Sequence, residues 1–208
     1  MCTEPVTASS ENDGNELLPE NAGNVLLPEN AGSILLPLAR AAIARQLNLS
    51  AAVDDSAPWL RAIGASFVTL KKDVELRGCI GTLEAQRPLG LDVAANAIAA
   101  AFRDPRFAPL RHDEFDAVRI EVSVLSPSAP LAFRDEADAL AQLRSGRDGV
   151  IFESDGRRST FLPQVWEQLP EPRLFLAQLK IKAGLPHDFW SPRVRLARYT
   201  VSKWHETR

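Results

Sequence analysis

The chain has 208 residues, 45% hydrophobic and 25% charged, with a formal net charge of −3. That balance describes a globular chain of one domain, or one domain with a small lobe, and excludes a collagen-like, low-complexity or disulfide-framed protein. No run of about 18 apolar residues occurs, so no membrane-spanning helix is expected. Two distant cysteines, Cys2 and Cys79, with no secretory leader point to a reducing, cytoplasmic setting.

The charge is unevenly spread. Residues 1–36 hold six acids and no Lys or Arg, so the remainder carries a surplus of three positive charges. Its bases are dispersed. The densest groups are Arg103/Arg106/Arg111 and Arg193/Arg195/Arg198, each interrupted by acids or apolar residues. This is a poor electrostatic footprint for nucleic acid, and no such partner is expected. The acidic segment repeats itself: Val25 to Gly32 echoes Glu16 to Gly23, and Ile34-Leu35-Leu36-Pro37 is a third partial copy. A period of nine is too short for a solenoid unit, and each copy carries a proline that interrupts a helix. Residues 1–36 therefore read as a flexible acidic extension preceding a domain over 37–208. The competing reading is a linear motif docking a partner through its Leu-Leu-Pro triplets.

From Pro37 the pattern predicts an amphipathic helix of about three turns, opened by that proline. Residues 54–58 read as a loop. Ser66 to Leu70 and Val74 to Thr82 read as a hairpin, with Val74, Leu76 and Ile80 on one face and Glu75, Arg77 and Cys79 on the other. Residues 88–103 predict a helix with a stripe of Leu91, Ala94, Ala95, Ile98 and Phe102, stopped by Pro105. Val118, Ile120, Val122 and Val124 alternate with polar residues as a half-buried strand. A helix over 135–144 follows, closed by Gly146. Next come a hairpin over 149–161 turning at Asp155-Gly156, a short helix at 163–168, a longer one over 172–183 stopped by Gly184, and a closing strand over 194–201. Strands and helices mix without βαβ alternation, so the fold class is α+β with a largely antiparallel sheet flanked by helices.

Three segments can carry chemistry. In Leu76-Arg77-Gly78-Cys79-Ile80-Gly81-Thr82, Arg77 on the Cys79 face would favour the thiolate, and Gly78 and Gly81 would let a ligand reach the thiol and the strand amides. The competing reading is a small cysteine filling a tight place in a sheet. In Phe102-Arg103-Asp104-Pro105-Arg106-Phe107, Asp104 and Arg106 would orient an anion or substrate, or form only a helix stop with a surface ion pair. In Thr160 to Trp166, Gln164 could line a pocket, while Phe161 and Trp166, like Trp190 and Trp204, read as core anchors. No histidine pairs with Cys79, and no phosphate loop, dinucleotide fingerprint or metal cluster is present, so no cofactor and no metal are expected.

Taken together in this order, Leu-Arg-Gly-Cys-Ile-Gly-Thr (76–82), Phe-Arg-Asp-Pro-Arg-Phe (102–107), Ile-Glu-Val-Ser-Val-Leu-Ser (120–126) and Thr-Phe-Leu-Pro-Gln-Val-Trp (160–166) resemble the AmmeMemoRadiSam system protein A family, the domain of the AMME-syndrome candidate gene product. The match runs from about Pro37 to the C-terminus, and the acidic repeat has no counterpart in it. The resemblance implies a larger and a smaller lobe with a cleft between them, at which Arg77 to Gly81 would lie. It also implies association with a Memo-like protein and a radical-SAM protein. On this reading the cleft binds or modifies a small substrate or a partner's peptide. Cys79 would be the nucleophile or carrier, Arg77 would stabilise the thiolate, and Gly78, Gly81, Thr82, Asp104 and Arg106 would hold the ligand. The alternative is a non-enzymatic adaptor in which Cys79 matters only for shape.

Overall fold

The structure, a computed structural model, describes residues 27–207. In chain order the elements are α1 (Gly32–Gln46), β1 (Ile63–Lys72), β2 (Glu75–Gly81), β3 (Arg87–Pro88), α2 (Leu89–Phe102), β4 (Val118–Leu125), β5 (Ala129–Leu131), α3 (Glu136–Gln142), β6 (Gly149–Ser154), β7 (Arg157–Phe161), α4 (Pro172–Lys182), β8 (Arg195–Tyr199) and β9 (Val201–His205). They form two antiparallel sheets. The first has the order β2-β1-β4-β9 with β3 paired to β1, and the second the order β5-β8-β6-β7.

Each sheet has its own core. Val68, Leu70, Ile120, Val122 and Val124 from the first sheet pack on Leu35, Ile43, Val93 and Ala97 of α1 and α2. Val150, Phe152 and Leu196 from the second pack on Phe175, Leu176 and Leu179 of α4. The expected anchors hold. Trp166 stacks on Phe175 with ring centroids 3.7 Å apart and donates its indole N–H to the Asp148 carbonyl. Phe161 and Trp190 border the second core, and Trp204 borders the first. The fold is thus α+β, with a larger and a smaller lobe.

The chain passes between the lobes at two places that touch. Ser126, just past β4, donates its N–H to the Thr200 carbonyl, and Thr200 N–H donates to the Ser126 hydroxyl. The single closing strand expected over 194–201 is therefore two. β8 belongs to the second sheet and β9 to the first, with Thr200 as the break.

Four local expectations are corrected. The first helix begins at Gly32, not Pro37, and Ala31 and Leu35 are fully buried. Residues 27–36 thus belong to the packed lobe, while residues 1–26, with the first Leu-Leu-Pro copy and Cys2, lie outside the described residues. Pro37 sits inside α1 on its exposed side, where the Ser33 carbonyl it leaves unbonded faces solvent. In α2 the buried face is Leu89, Val93, Ala97, Ala100 and Ala101 with Asp92 and Asn96, and Leu91 is 63% exposed. In the β1–β2 hairpin, Val74 lies in the turn at φ 83° and is 82% exposed. Finally, the register slips between Leu70 and Lys71, which pair with Gly78 and Leu76, so Arg77 is a bulge residue. The bulge inverts the alternation beyond it. Leu76, opposite Lys71, lies on the outer face with Cys79, whereas Arg77 turns towards the helix side.

Candidate functional site

β2 is the edge of its sheet, so the backbone groups of Cys79 that point away from β1 need partners. The segment after α2 supplies them. Pro105 ends the helix and brings Asp104 and Arg106 onto the edge. The Asp104 carboxylate accepts from Cys79 N–H at 2.8 Å, and Arg106 NH2 donates to the Cys79 carbonyl at 3.2 Å. Arg106 also donates to Asp104 through Nε at 2.9 Å and NH2 at 2.7 Å. Hydrogen bonding from Arg106 holds the Asp104 carboxyl far below its usual range against the opposing effect of burial. The same bond raises the Arg106 pKa. Asp104 and Arg106 thus act as a clamp on the Cys79 peptide.

The thiol itself is half-buried on the outer face of the sheet and carries no disulfide. The Thr69 hydroxyl, directly across in the register, donates to its Sγ at 3.3 Å. The nearby guanidinium is that of Arg106, not Arg77. Arg77 donates from Nε at 3.3 Å and NH2 at 3.0 Å to Glu114, lies 6.0 Å from the Phe107 ring centroid, and leaves NH1 buried without a partner. Hydrogen bonds from Arg77, then from the Arg111 backbone N–H and from Lys72, hold the Glu114 carboxyl down to about 2 against the opposing effect of burial.

The two glycines serve packing. A Cβ on Gly78 would strike the Ala100 carbonyl oxygen of α2, and one on Gly81 would strike the Phe67 ring and stand 2.6 Å from the Ser66 carbonyl. Their small size admits α2 and Phe67 where an approaching ligand was expected. Thr82 is likewise engaged inside the protein. Its hydroxyl donates to the fully buried Asp92 carboxylate at 2.7 Å and accepts from Asn96 at 3.3 Å. Asp92 also accepts from Ser66 Oγ at 2.6 Å and Arg87 Nε at 2.8 Å. This network pins the end of β2 to α2.

Beyond Gly81 the outer face opens into a hollow of about 570 Å³. It is bordered by Gly81, Thr82, Leu83 and Glu84 of the larger lobe and by Ile151, Arg158, Thr160, Lys182 and Tyr199 of the smaller one. A second hollow of about 300 Å³ shares Leu83, Glu84, Ile151, Arg158 and Tyr199 with it. Burial pushes the Tyr199 hydroxyl up, and its hydrogen bond with Thr160 works the other way. Cys79 does not border either hollow. It lies two residues along the same strand face from Gly81, about 7 Å away by strand rise. A larger groove of about 1140 Å³ runs along α1 past Leu36, Arg40, Phe115 and His205, all in the larger lobe. Gln164 is exposed and borders neither interlobe hollow.

The AMMECR1 family profile matches residues 36–204, most of the chain. The chain belongs to the AMMECR1 family. A protein of Methanothermobacter thermautotrophicus is 40% identical over 174 residues, covering 81% of this chain and 91% of the relative. One of Methanopyrus kandleri is 39% identical over 163 residues, covering 74% and 77%. The crystal structure of an uncharacterized protein from Pyrococcus horikoshii is similar at a TM-score of 0.71 and 33% identity, over 86% of this chain and 93% of that one.

In this AMMECR1-family chain the sequence motifs bring Cys79, Asp104 and Arg106 together and place Gly81 and Thr82 at the interlobe hollow. They do not bring Arg77 to the thiol. Sequence reasoning missed Glu84, Arg158, Lys182 and Tyr199, which lie on a loop, on β7, at the end of α4 and on β8, without a motif. It also missed Asp92 and Asn96. Two polar residues spaced i, i+4 in an otherwise alanine-rich helix were the signal for these. Among the described residues no group of His, Cys, Asp and Glu could hold a metal, and no helix is long and apolar enough to cross a membrane.

Proposed function

We propose that the protein is the protein A component of an AmmeMemoRadiSam system, and that it acts by holding a small substrate or a partner's peptide in the interlobe hollow and along the shelf leading to Cys79. The observation that carries this reading is the bracing of Cys79. Its peptide is clamped by Asp104 and Arg106, its sulfur receives the Thr69 hydroxyl, and its face continues into the hollow at Gly81. The Thr69 hydroxyl on the sulfur and the Arg106 guanidinium on the peptide carbonyl fix where the thiol stands beside the hollow. Cys79 is then the nucleophile or transient carrier. Arg106, rather than Arg77, is the guanidinium that holds the Cys79 residue, and Asp104 positions Arg106. The Memo-like and radical-SAM proteins are the partners this reading supplies.

A second reading is favoured by a different observation. Arg77, Asp104 and Thr82 are all engaged within the protein, and Gly78 and Gly81 are filled by Ala100 and Phe67. The motif would then build a rigid surface for an adaptor, with Cys79 contributing shape alone.

One experiment separates the two. Wild-type chain and Cys79→Ser are incubated with a metabolite extract and with the two partner proteins of the same organism, then read by intact mass and peptide mapping. A covalent adduct on Cys79, absent from the variant, is the expected result. Partner binding retained by Cys79→Ser with no adduct on wild type selects the adaptor. No adduct and no retained partner contradicts both.

A further inference from the structure

The two lobes are tied together sparsely. Their cores have no residue in common. The chain crosses between them twice, at Ser126 and at Thr200, and these two crossings hydrogen-bond to each other. Among the described residues one ion pair spans the lobes, between Glu84 on the β2–β3 connection and Arg158 on β7. That pair stands in the wall the two interlobe hollows share. The molecule is therefore hinged at Ser126/Thr200 and latched at Glu84/Arg158, with hollow space between.

The charges around the larger hollow do not balance. Glu84 is matched by Arg158, but Lys182 on the smaller lobe has no carboxylate among its bonds. Its ammonium donates to the Thr160 carbonyl at 3.0 Å and lies 5.0 Å from the Phe161 ring centroid. The hollow thus has one positive charge in excess, beside Thr160 and Tyr199, which carry hydroxyls. Leu83, Ile151 and the Tyr199 ring give it an apolar wall. The latch itself shows that Arg158 accepts a carboxylate at this place. A volume of about 570 Å³ lies within the usual range for small-molecule sites, roughly 300–1,000 Å³.

We infer that the interlobe hollow binds a small organic carboxylate, held by Lys182 and by Arg158 released from Glu84, with its apolar body against Leu83 and Ile151. The ligand replaces the Glu84–Arg158 latch as the tie between the lobes. The inference deepens the reading of the hollow as the binding site and does not depend on any chemistry at Cys79. A guanidinium can exchange one carboxylate for another at small cost, because both offer the same fork geometry. Differential affinity for the latched and ligand-tied arrangements is then what couples binding to lobe position.

The test is a titration of the full chain followed by amide resonances, using phenylacetate and citrate as carboxylates, phenylacetamide as the neutral isostere, and inorganic phosphate. Saturable shifts at residues 81–86 and 158–160 with a carboxylate, and at least tenfold weaker binding of phenylacetamide, are expected. Lys182→Met weakens carboxylate binding at least fivefold, and Glu84→Gln, which frees Arg158, strengthens it severalfold. Both side chains are solvent-exposed, so both variants keep the fold. No saturable shift with either carboxylate, equal binding of the amide, preference for phosphate alone, or indifference to Lys182→Met overturns the inference. Because none of these outcomes involves the thiol, an adduct on Cys79 can still be found if the carboxylate assignment fails.

Discussion

Replacing Gly78 by alanine separates a packing role for the motif glycines from a ligand-access role. A Cβ there would stand 3.1 Å from the Ala100 carbonyl carbon and closer still to its oxygen. That oxygen belongs to the backbone of α2, so no side-chain rotation relieves the contact. The end of the helix must retreat from β2, and the contacts of Ala97, Ala100 and Ala101 with the first sheet loosen. Overpacking costs about 1–3 kcal/mol, and a backbone partner places this case near about 3 kcal/mol. Alanine restricts the unfolded chain and returns about 0.4–1 kcal/mol, leaving a net loss of about 2–3 kcal/mol. At about 2–4 °C per kcal/mol for a chain of this size, Tm should fall by about 5–10 °C. Calorimetry and urea unfolding measure it. Gly146→Ala is the control: it has open space but φ of 75°, so it bears only the left-handed penalty of about 1–2 kcal/mol. A Gly78→Ala protein melting within about a degree of wild type would refute the packing argument.

Three further outcomes follow from the same geometry. Asp104→Asn keeps one acceptor but turns an amide N–H towards Arg106. It should lower stability by about 1–3 kcal/mol and speed hydrogen exchange at the Cys79 amide, whereas unchanged protection there would contradict the clamp. Thr82→Val leaves Asp92 and Asn96 each short of a buried partner and should cost about 1–3 kcal/mol in urea unfolding, with Thr82→Ser close to wild type. Glu114, held down to about 2 in the folded protein, stabilises it fully above its unfolded range near 4.5, and that contribution is lost as pH falls from there towards 2. Glu114→Gln should flatten the acid limb of the stability curve, incompletely because Asp104 acts in the same direction; an unaltered limb would show that Glu114 is not the linked group.

Much of the architecture was legible in the sequence, because period-2 and period-3.6 patterns report burial on one face. Val118 to Val124 alternates and is buried as read, and Asp155-Gly156 turns its hairpin with φ of 52° and 76°. What escaped was where tertiary geometry overrides local pattern. The bulge at Arg77 adds one residue and so exchanges Leu76 for Arg77 on the outer face, which no alternation rule can foresee. Leu91 fits an apolar stripe, yet the helix presents Asp92 and Asn96 inwards because Ser66 and Thr82 need partners there. The proximity of Cys79, Asp104 and Arg106 was suggested only by motif order, and the hollow between the lobes involves residues as far apart as Gly81 and Tyr199 that no local signal connects.

The most direct test of the site is the alkylation rate of Cys79 by iodoacetamide at fixed neutral pH, read by peptide mapping on the full chain. The geometry predicts that Arg106→Gln, which opens the clamp on the Cys79 peptide and lets the edge strand fray, speeds labelling of the half-buried thiol by about threefold or more, while Arg77→Gln, whose guanidinium is tied to Glu114, leaves it within about 50% of wild type. Labelling that responds to Arg77→Gln and ignores Arg106→Gln would contradict the assignment of the clamp to Cys79.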